Sequence, residues 1–333
     1  MAQTALFLTC TEAGERLVSV TYSTFSWPNA IKQLVHALRS DAANAEHVAV
    51  VAERLRRDRK RMESILQGPL RGKRILEIGP GQHMTRACIL AIDNHVTAVD
   101  QDVIPQRLSD YLRMAQANGF SRVLKTFGRK VLLVDLRHRR ALSRALGVDS
   151  LPRPRFLATD FCQLPDTECF DAVCSWSVFE HLPDPEAAMH GLLSRLAPGG
   201  AFLISVHLYT SHTGHHDIRS FTGSARSLPL WGHLRPRTQH LITPSAYLNH
   251  YRLSQWRDLF QRLVPDVKEY QERLGEAGLR ARMTPELRKE LGAYADEELF
   301  TVDVIFVGRK PHPEAETQPP SPKDCARTSG LLY

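Results

Sequence analysis

Short apolar runs alternate with helical segments along most of the chain. Turn residues bound these runs, as at Pro198-Gly199-Gly200, where a predicted helix over 185–196 ends. Strands that alternate with helices in this way are typical of an open α/β sheet. The pattern predicts strands at 75–78, 95–99, 155–160, 170–176, 201–206, 267–273 and 300–307.

The two ends of the chain differ from this central pattern. Residues 1–70 form a predicted N-terminal helical cap, with one helix from Pro28, where apolar residues recur at helical spacing, and a second over 45–66. Residues 311–333 are rich in proline, serine and charge, which predicts a disordered tail.

The main domain is predicted over 71–310, with two insertions. The first, at about 101–150, is longer than a connection between neighbouring strands needs. The second, at about 207–243, is polar and rich in histidine and glycine. Within and after these insertions we predict helices over 106–118, 137–146, 244–263 and 285–294.

Length and cysteine content narrow the class of protein. A chain of 333 residues with 43% hydrophobic content can bury a full core in one large domain with additions. The six cysteines have no paired spacing, which argues against a disulfide scaffold or a cysteine-based zinc site. We find no basic leader, long apolar run or membrane span, and therefore expect a cytoplasmic protein.

The net charge of +7 is concentrated partly in two basic runs, at 54–61 and 137–140. Both fall in predicted helices, and we interpret them as solvated helix faces. The alternative is a surface for an acidic substrate or a polyanion. Because no nucleic-acid-binding module accompanies the runs, we do not expect nucleic acid as a partner. The sequence makes no prediction of oligomeric state.

A glycine turn follows the first apolar strand. Gly79 and Gly81 flank a proline, Glu77 precedes them, and Asp100 ends the next strand 21 residues after Gly79. Glycines let a backbone approach a nucleotide-like ligand closely, and a carboxylate at the next strand end can bind a ribose diol. A dinucleotide site requires a third glycine where this chain has Met84, which disfavours a nicotinamide-dependent oxidoreductase.

Two stretches resemble class I S-adenosylmethionine (SAM)-dependent methyltransferases. The run Leu-Glu-Ile-Gly-Pro-Gly at 76–81 resembles the first motif of the family, and LAPGGAFLIS at 196–205 resembles its fifth strand. His83 departs from the pattern, because the family usually has a glycine there. The resemblance covers about 70–310. It implies a Rossmann-like, seven-stranded, mostly parallel sheet with helices on both faces, here preceded by the N-terminal helical cap.

The resemblance also implies which residues bind the cofactor. Glu77 would hold the amino-acid end of SAM, Asp100 the ribose hydroxyls, and Asp160 with Phe161 the adenine. The full set of expected cofactor-binding residues is Glu77, Gly79, Gly81, Asp100, Asp160, Phe161 and Ser175.

The acceptor side is predicted from the fourth strand end and the histidine-rich insertion. We expect His216 or His207 to act as the base, with Asp217 orienting a histidine. The expected acceptor-binding residues are Trp176, His181, Tyr209 and Arg219. The insertion's His207, His212, His215, His216 and Asp217 are also of metal-ligating types. We assign no metal ligand, and Mg²⁺ stays an alternative that we do not favour.

We therefore predict a SAM-dependent methyltransferase that acts on a small molecule or glycan precursor, at oxygen because the insertion is polar and rich in His, Ser and Thr. Two alternatives remain open: methylation of RNA or protein, and a SAM-binding protein without catalysis.

Overall fold

The N-terminal region contains a hairpin and a long helix. The computed structural model describes residues 2–11, 14–23, 41–105, 108–118, 120–165, 168–220 and 228–310. Strands β1 (Ala2–Thr11) and β2 (Gly14–Ser23) pair antiparallel, so the region predicted as a helical cap over 1–70 also contains a hairpin that we did not predict. Helix α1 (Asp41–Leu66) confirms the helix predicted over 45–66. The helix predicted from Pro28 and the tail predicted over 311–333 lie outside the described residues.

The further elements follow the predicted alternation. In chain order they are β3 (Arg74–Ile78), α2 (Thr85–Leu90), β4 (His95–Asp100), α3 (Leu108–Asn118), α4 (Phe120–Val131), α5 (Val134–Leu146), β5 (Arg155–Ala158), β6 (Phe170–Trp176), α6 (Pro185–Arg195), β7 (Leu196–His207), α7 (Leu253–Leu263), β8 (Lys268–Glu272), α8 (Glu276–Ala281), α9 (Pro285–Glu290), α10 (Asp296–Phe300) and β9 (Asp303–Arg309). Short 3₁₀ helices cover Phe161–Gln163, Phe179–His181, Ile218–Ser220, Gly232–Leu234 and Gln239–Leu241.

The sheet has seven strands in the order β5-β4-β3-β6-β7-β9-β8. The strands from β5 to β7 are parallel, and β9 runs antiparallel to both of its neighbours. This topology confirms the predicted Rossmann-like fold. Within the described ranges, no helix combines the length and the apolar composition that crossing a bilayer requires.

Two hydrophobic cores cover the two faces of the sheet. Because successive side chains of a strand point to opposite faces, Leu76 and Ile78 pack on one side with α6 and α7, while Ile75 packs on the other with α1 and α2. Phe260 of α7 is fully buried and stacks on Phe306 of β9, with 4.1 Å between ring centroids. Helices therefore pack on both faces of the sheet.

The insertions contain more regular structure than the sequence predicted. Part of the stretch over 122–136 is helical in α4, where Phe120, Leu124, Phe127 and Val131 recur at helical spacing. The helix expected over 244–263 begins only at Leu253. A third core joins the second insertion to the C-terminal helices; its buried members are Trp231, Leu234, Leu279, Leu287, Leu291, Leu299 and Phe300.

Parallel pairing brings the functional loops to one edge. Ile78 pairs with Val99 of β4 and with Ser175 of β6, and Trp176 pairs with Ser205 of β7. The carboxyl ends of these strands therefore lie side by side, which is where open α/β sheets bind their ligands.

Candidate active site

A pocket lies at the carboxyl ends of the parallel strands. Its wall includes Gly79, Asp100, Asp160 and Phe161, four of the predicted cofactor-binding residues. His181, predicted to bind the acceptor, also lines it. The strand order brings these residues together from four separate loops.

The glycine turn is shaped by close packing against the segment that follows β6. Gly79 has a φ of 69°, and its N–H donates to the carbonyl of Val99 at 2.8 Å. A Cβ at this position would lie 2.3 Å from Cγ2 of Val178, a distance that real Cβ atoms do not tolerate. Gly81 has a φ of 64°, which also favours glycine. The turn thus needs glycine at Gly79 for both backbone and space.

Backbone N–H groups hold both predicted ligand carboxylates. Asp100 Oδ1 accepts from the N–H of Asp102 at 2.9 Å. Asp160 Oδ1 accepts from the N–H of Cys162 at 2.9 Å, and its Oδ2 accepts from the side-chain amide of Gln101 at 3.2 Å. Because these contacts fix the carboxylates in the pocket wall, both are oriented before a ligand arrives.

Glu77 lies beneath the turn and is only 2% exposed. Burial raises its pKa to about 7, although the positive charge of Arg86 opposes the shift. Its Oε2 has no hydrogen-bond partner among the described residues. Glu77 therefore lies beside the cofactor turn as a carboxyl group that can gain or lose a proton near neutral pH.

Ser175 and Trp176 are among the predicted site residues that lie outside the pocket wall. Ser175 is buried and its hydroxyl donates to the carbonyl of Ile78 at 3.2 Å, which ties β6 to β3. The Trp176 ring is buried beneath the Arg86 guanidinium, and its Nε1–H donates to Asp58 of α1 at 2.9 Å. Both side chains hold the scaffold, which differs from the ligand contacts that we expected.

His83, the departure from the family motif, faces away from the pocket. Its ring stacks on His138 of α5 with 4.2 Å between centroids, and its Nδ1 lies 3.5 Å from Asp135 Oδ1. The His83 side chain therefore packs against α5 of the first insertion.

A row of histidines extends from the pocket wall into the second insertion. The ring centroids of His181 and His216 are 4.8 Å apart, and the ring centroids of His216 and His207 are also 4.8 Å apart. His207 Nδ1 lies 3.5 Å from Asp303 Oδ1, and its Nε2 lies 3.0 Å from the Thr213 hydroxyl. Burial and the neighbouring histidines lower the pKa of His207 to about 3 and that of His216 to about 2, so both rings are neutral at physiological pH.

The Asp217 carboxylate binds an arginine and not a histidine, while the Asp217 backbone N–H donates to Nδ1 of His215 at 2.9 Å. The two carboxylate oxygens accept from Arg219 at 2.9 and 2.6 Å, and one also accepts from the N–H of Thr243 at 2.8 Å. Asp303 is the carboxylate beside His207 instead. The sequence pattern did not reveal Asp303, which antiparallel pairing of β7 with β9 places opposite His207.

The other two predicted acceptor residues make internal contacts. The Arg219 guanidinium donates to Asp217 Oδ2 and to the carbonyl of Leu241, each at 2.6 Å. The Tyr209 ring stacks on His250 with 4.1 Å between centroids. Tyr209 keeps part of its surface exposed, but neither residue lines the pocket wall.

A family model described as a methyltransferase domain matches residues 45–263, which is more than half of the chain. The chain belongs to this family. It is a class I SAM-dependent methyltransferase, as the first motif and the strand order indicate. None of the curated proteins compared with this methyltransferase matches it significantly.

Several solved methyltransferase structures are similar at low sequence identity. N-methyltransferase NodS from Bradyrhizobium japonicum WM9, in complex with S-adenosylhomocysteine (SAH), is 16% identical, with 85% of this chain and 100% of that chain covered and a TM-score of 0.39. A phosphoethanolamine N-methyltransferase from Haemonchus contortus, in complex with SAM, is 14% identical over 73% and 49% of the two chains, with a TM-score of 0.37. A putative methyltransferase from Bacillus halodurans is 15% identical over 75% and 98%, with a TM-score of 0.34.

Substituting Asp100 tests the ribose position. Asp100→Ala is expected to weaken SAH binding by about 1–3 kcal/mol, because two charge-assisted hydrogen bonds to the ribose hydroxyls are lost. Asp100→Asn, which keeps the side-chain shape and one acceptor oxygen, should have an SAH affinity between those of the wild type and Asp100→Ala. Calorimetry on both variants measures the effect, and an unchanged dissociation constant for Asp100→Ala would place the ribose elsewhere.

Restoring glycine at the motif departure should change little. In His83→Gly, SAH affinity is expected to stay within about threefold of the wild type, or about 0.7 kcal/mol, because the ring contacts α5 and not the pocket. The measurement is again calorimetric titration with SAH. A tenfold gain or loss would show that His83 governs the cofactor loop.

His233 is expected to make the folded protein less stable at acidic pH. Its Nε2–H donates to the Tyr209 carbonyl at 2.7 Å, its Nδ1 has no partner among the described residues, and burial lowers its pKa to about 3. Between pH 6.5 and 3 the unfolded chain therefore binds a proton that the folded chain does not, so stability falls as the pH falls.

His233→Gln keeps a donor for the Tyr209 carbonyl and removes the titrating ring. Between pH 7 and 5, this variant should lose about 2 kcal/mol less unfolding free energy than the wild type. Urea titrations at both pH values give the comparison. Equal losses in the two proteins would mean that His233 is protonated in the folded state.

Proposed function

We propose that this methyltransferase transfers the methyl group of SAM to a hydroxyl oxygen of a small-molecule or glycan-precursor acceptor and releases SAH. The observation that carries the proposal is the row of neutral imidazoles that begins at His181 in the pocket wall and continues through His216 to His207. A hydroxyl is a weak nucleophile and benefits from a nearby base, and the lone pair of a neutral imidazole that lies beside a carboxylate, as His207 does beside Asp303, can accept its proton.

In this proposal the pocket binds SAM through the residues that its wall contributes. Asp100 accepts hydrogen bonds from the ribose hydroxyls, and Asp160 with Phe161 contacts the adenine. Gly79 and Gly81 give the backbone clearance for the amino-acid end, which Glu77 helps to hold through its buried carboxyl group. Ser175 supports the turn through its bond to Ile78.

His216 or His207 acts as the base. The acceptor oxygen attacks the methyl carbon in line with the departing sulfur, the C–S bond breaks, and the electron pair leaves with sulfur as neutral SAH. The hydroxyl proton passes to the imidazole. His207 is supported in this role by Asp303, whose carboxylate can stabilise the protonated ring across 3.5 Å. Asp217 contributes indirectly, by holding the loop through Arg219.

The basic run of α1 gives little support to a macromolecular acceptor. Arg57 pairs with Glu272 at 3.2 Å, Arg59 with Asp93 at 2.7 Å, and Arg61 with Asp58 at 2.7 Å. These ion pairs neutralise much of the positive charge of the run, which leaves less of it for phosphate groups. A small acceptor is the better match for the pocket and its histidines.

An acceptor panel tests the proposal directly. Purified protein is incubated with SAM and with hydroxyl-rich compounds, amines, peptides or RNA, and SAH release is measured for each group. We expect turnover with a hydroxyl-rich small molecule and an O-methyl group in the product by NMR. Methylation at nitrogen or carbon, or turnover with RNA or peptide alone, would contradict the proposal.

Histidine substitutions then separate catalysis from cofactor binding. Of His207→Gln and His216→Ala, the variant that removes the base is expected to lower turnover by about 10²-fold or more, the usual contribution of a positioned base, and both variants should keep their SAH affinity. His190→Ala, at an exposed position on α6, serves as the control and should keep full activity. Loss of SAH binding in either active-site variant would contradict the assignment.

A further inference from the structure

Three side chains of metal-ligating type meet beside the cofactor pocket. Glu180 and His181 come from the 3₁₀ helix after β6, and His216 comes from the loop after β7. One ligand atom from each residue lies within 4.8 Å of the others. The group therefore combines two loops that the strand order brings together at the sheet edge.

Glu180 is an unusual buried acid. It is 2% exposed, and neither carboxylate oxygen makes a hydrogen bond of normal geometry with the described residues. The backbone N–H groups of Glu180 and His207 lie near the carboxylate without completing such a bond. No salt bridge links Glu180 to a cationic side chain in the described part of the chain. A buried carboxyl group is paired, binds a metal or stays protonated, so a bound cation is one way to satisfy Glu180.

His181 is oriented as metal-binding histidines commonly are. Its Nδ1–H donates to the backbone carbonyl of Tyr247 at 2.7 Å. This bond fixes the tautomer and leaves the lone pair on Nε2, as an outer hydrogen bond does for many ligating imidazoles. The same residue lines the cofactor pocket, so a ligand bound to it would lie beside the reacting groups.

The backbone of His216 is held in a strained conformation. Its φ is 50°, in the left-handed region that favours glycine. The backbone N–H and the hydroxyl of Ser245 both donate to the His216 carbonyl, at 3.1 and 2.6 Å, and the His216 N–H donates to the Thr213 carbonyl at 3.1 Å. These bonds hold the His216 ring 4.8 Å from the ring of His181.

We propose that Glu180, His181 and His216 bind a divalent transition-metal ion of the zinc type. Two imidazoles and one carboxylate are a ligand set that Zn²⁺ uses in open sites with three protein ligands. Mg²⁺ prefers oxygen ligands and fits this set poorly. Ligand atoms around tetrahedral zinc lie about 3.3 Å apart, so modest side-chain rotations would close the site around the ion.

This inference rests on the proposed function and narrows it. A bound ion would use His216 as a ligand and leave His207, supported by Asp303, as the base. Its open coordination position would face the pocket that His181 lines, where a hydroxyl or vicinal diol of the acceptor could bind. The acceptor class is therefore a polyhydroxylated compound with a metal-binding oxygen.

Metal titration of tag-free protein, stripped with a chelator, tests the site. We expect one equivalent of Zn²⁺ to bind by calorimetry, and Co²⁺ to give the visible absorption of a low-symmetry site with nitrogen and oxygen ligands. Glu180→Gln and His216→Gln should each weaken Zn²⁺ binding by more than about tenfold, the loss seen even for outer partners of a metal ligand. His212→Gln, in the same loop but outside the triad, should keep wild-type affinity.

The outcomes separate this inference from the proposed function. SAH binding is measured on every variant, so that intact cofactor affinity shows an intact fold; if Glu180→Gln does not fold, His216→Gln gives the same test. Wild-type protein that binds SAH but no stoichiometric Zn²⁺ would overturn the metal site alone. Unchanged Zn²⁺ affinity in a folded triad variant, or a tenfold loss in His212→Gln, would also overturn it. A metal-binding protein that methylates no hydroxyl would overturn the proposed function instead.

Discussion

The close packing of the Gly79 turn against Val178 determines how the active site is assembled. The turn follows β3, Val178 follows β6, and these strands are direct neighbours in the sheet. Only a residue without a Cβ leaves room for Val178 at this point. The same contact fixes the start of the 3₁₀ helix that carries Glu180 and His181. The cofactor turn and the acceptor side are therefore positioned together by one steric requirement.

Electrostatics divide the molecule into two regions. On the α1 side of the sheet, arginines and acids pair closely, and Asp58 also binds the Trp176 indole. Beside the pocket, His181, His216 and the Glu180 carboxyl group lie close together, and the Glu180 oxygens have no hydrogen-bond partner among the described residues. Close ion pairs are therefore found on the scaffold side, whereas the Glu180 carboxyl group lies next to His181 of the pocket wall, where a cofactor, acceptor or ion would bind.

The sequence predicted those parts of the molecule that depend on residues close together along the chain. Apolar runs bounded by turn residues predicted the strands of the seven-stranded sheet, and glycines with a strand-end acid predicted four residues of the pocket wall. The sequence did not predict the N-terminal hairpin, because no strong turn signature separates its two strands. It also did not predict α4, because the apolar residues 131–134 directly follow and overlap the end of that helix. The pairing of His207 with Asp303 depends on an antiparallel strand far along the chain, so spacing alone could not reveal it. Trp176 and Arg219 are polar or aromatic residues near the site whose partners are internal.

A crystal structure of the protein with bound SAH would show whether the pocket at the carboxyl ends of the strands holds the cofactor. We expect the adenine beside Asp160 and Phe161, the ribose hydroxyls within hydrogen-bond distance of Asp100, and the sulfur on the side of the pocket that His181 lines. A second pocket lies at the opposite ends of the strands, with Arg74 and Arg155 in its wall. SAH bound there, or bound in the main pocket with its ribose away from Asp100, would contradict the account.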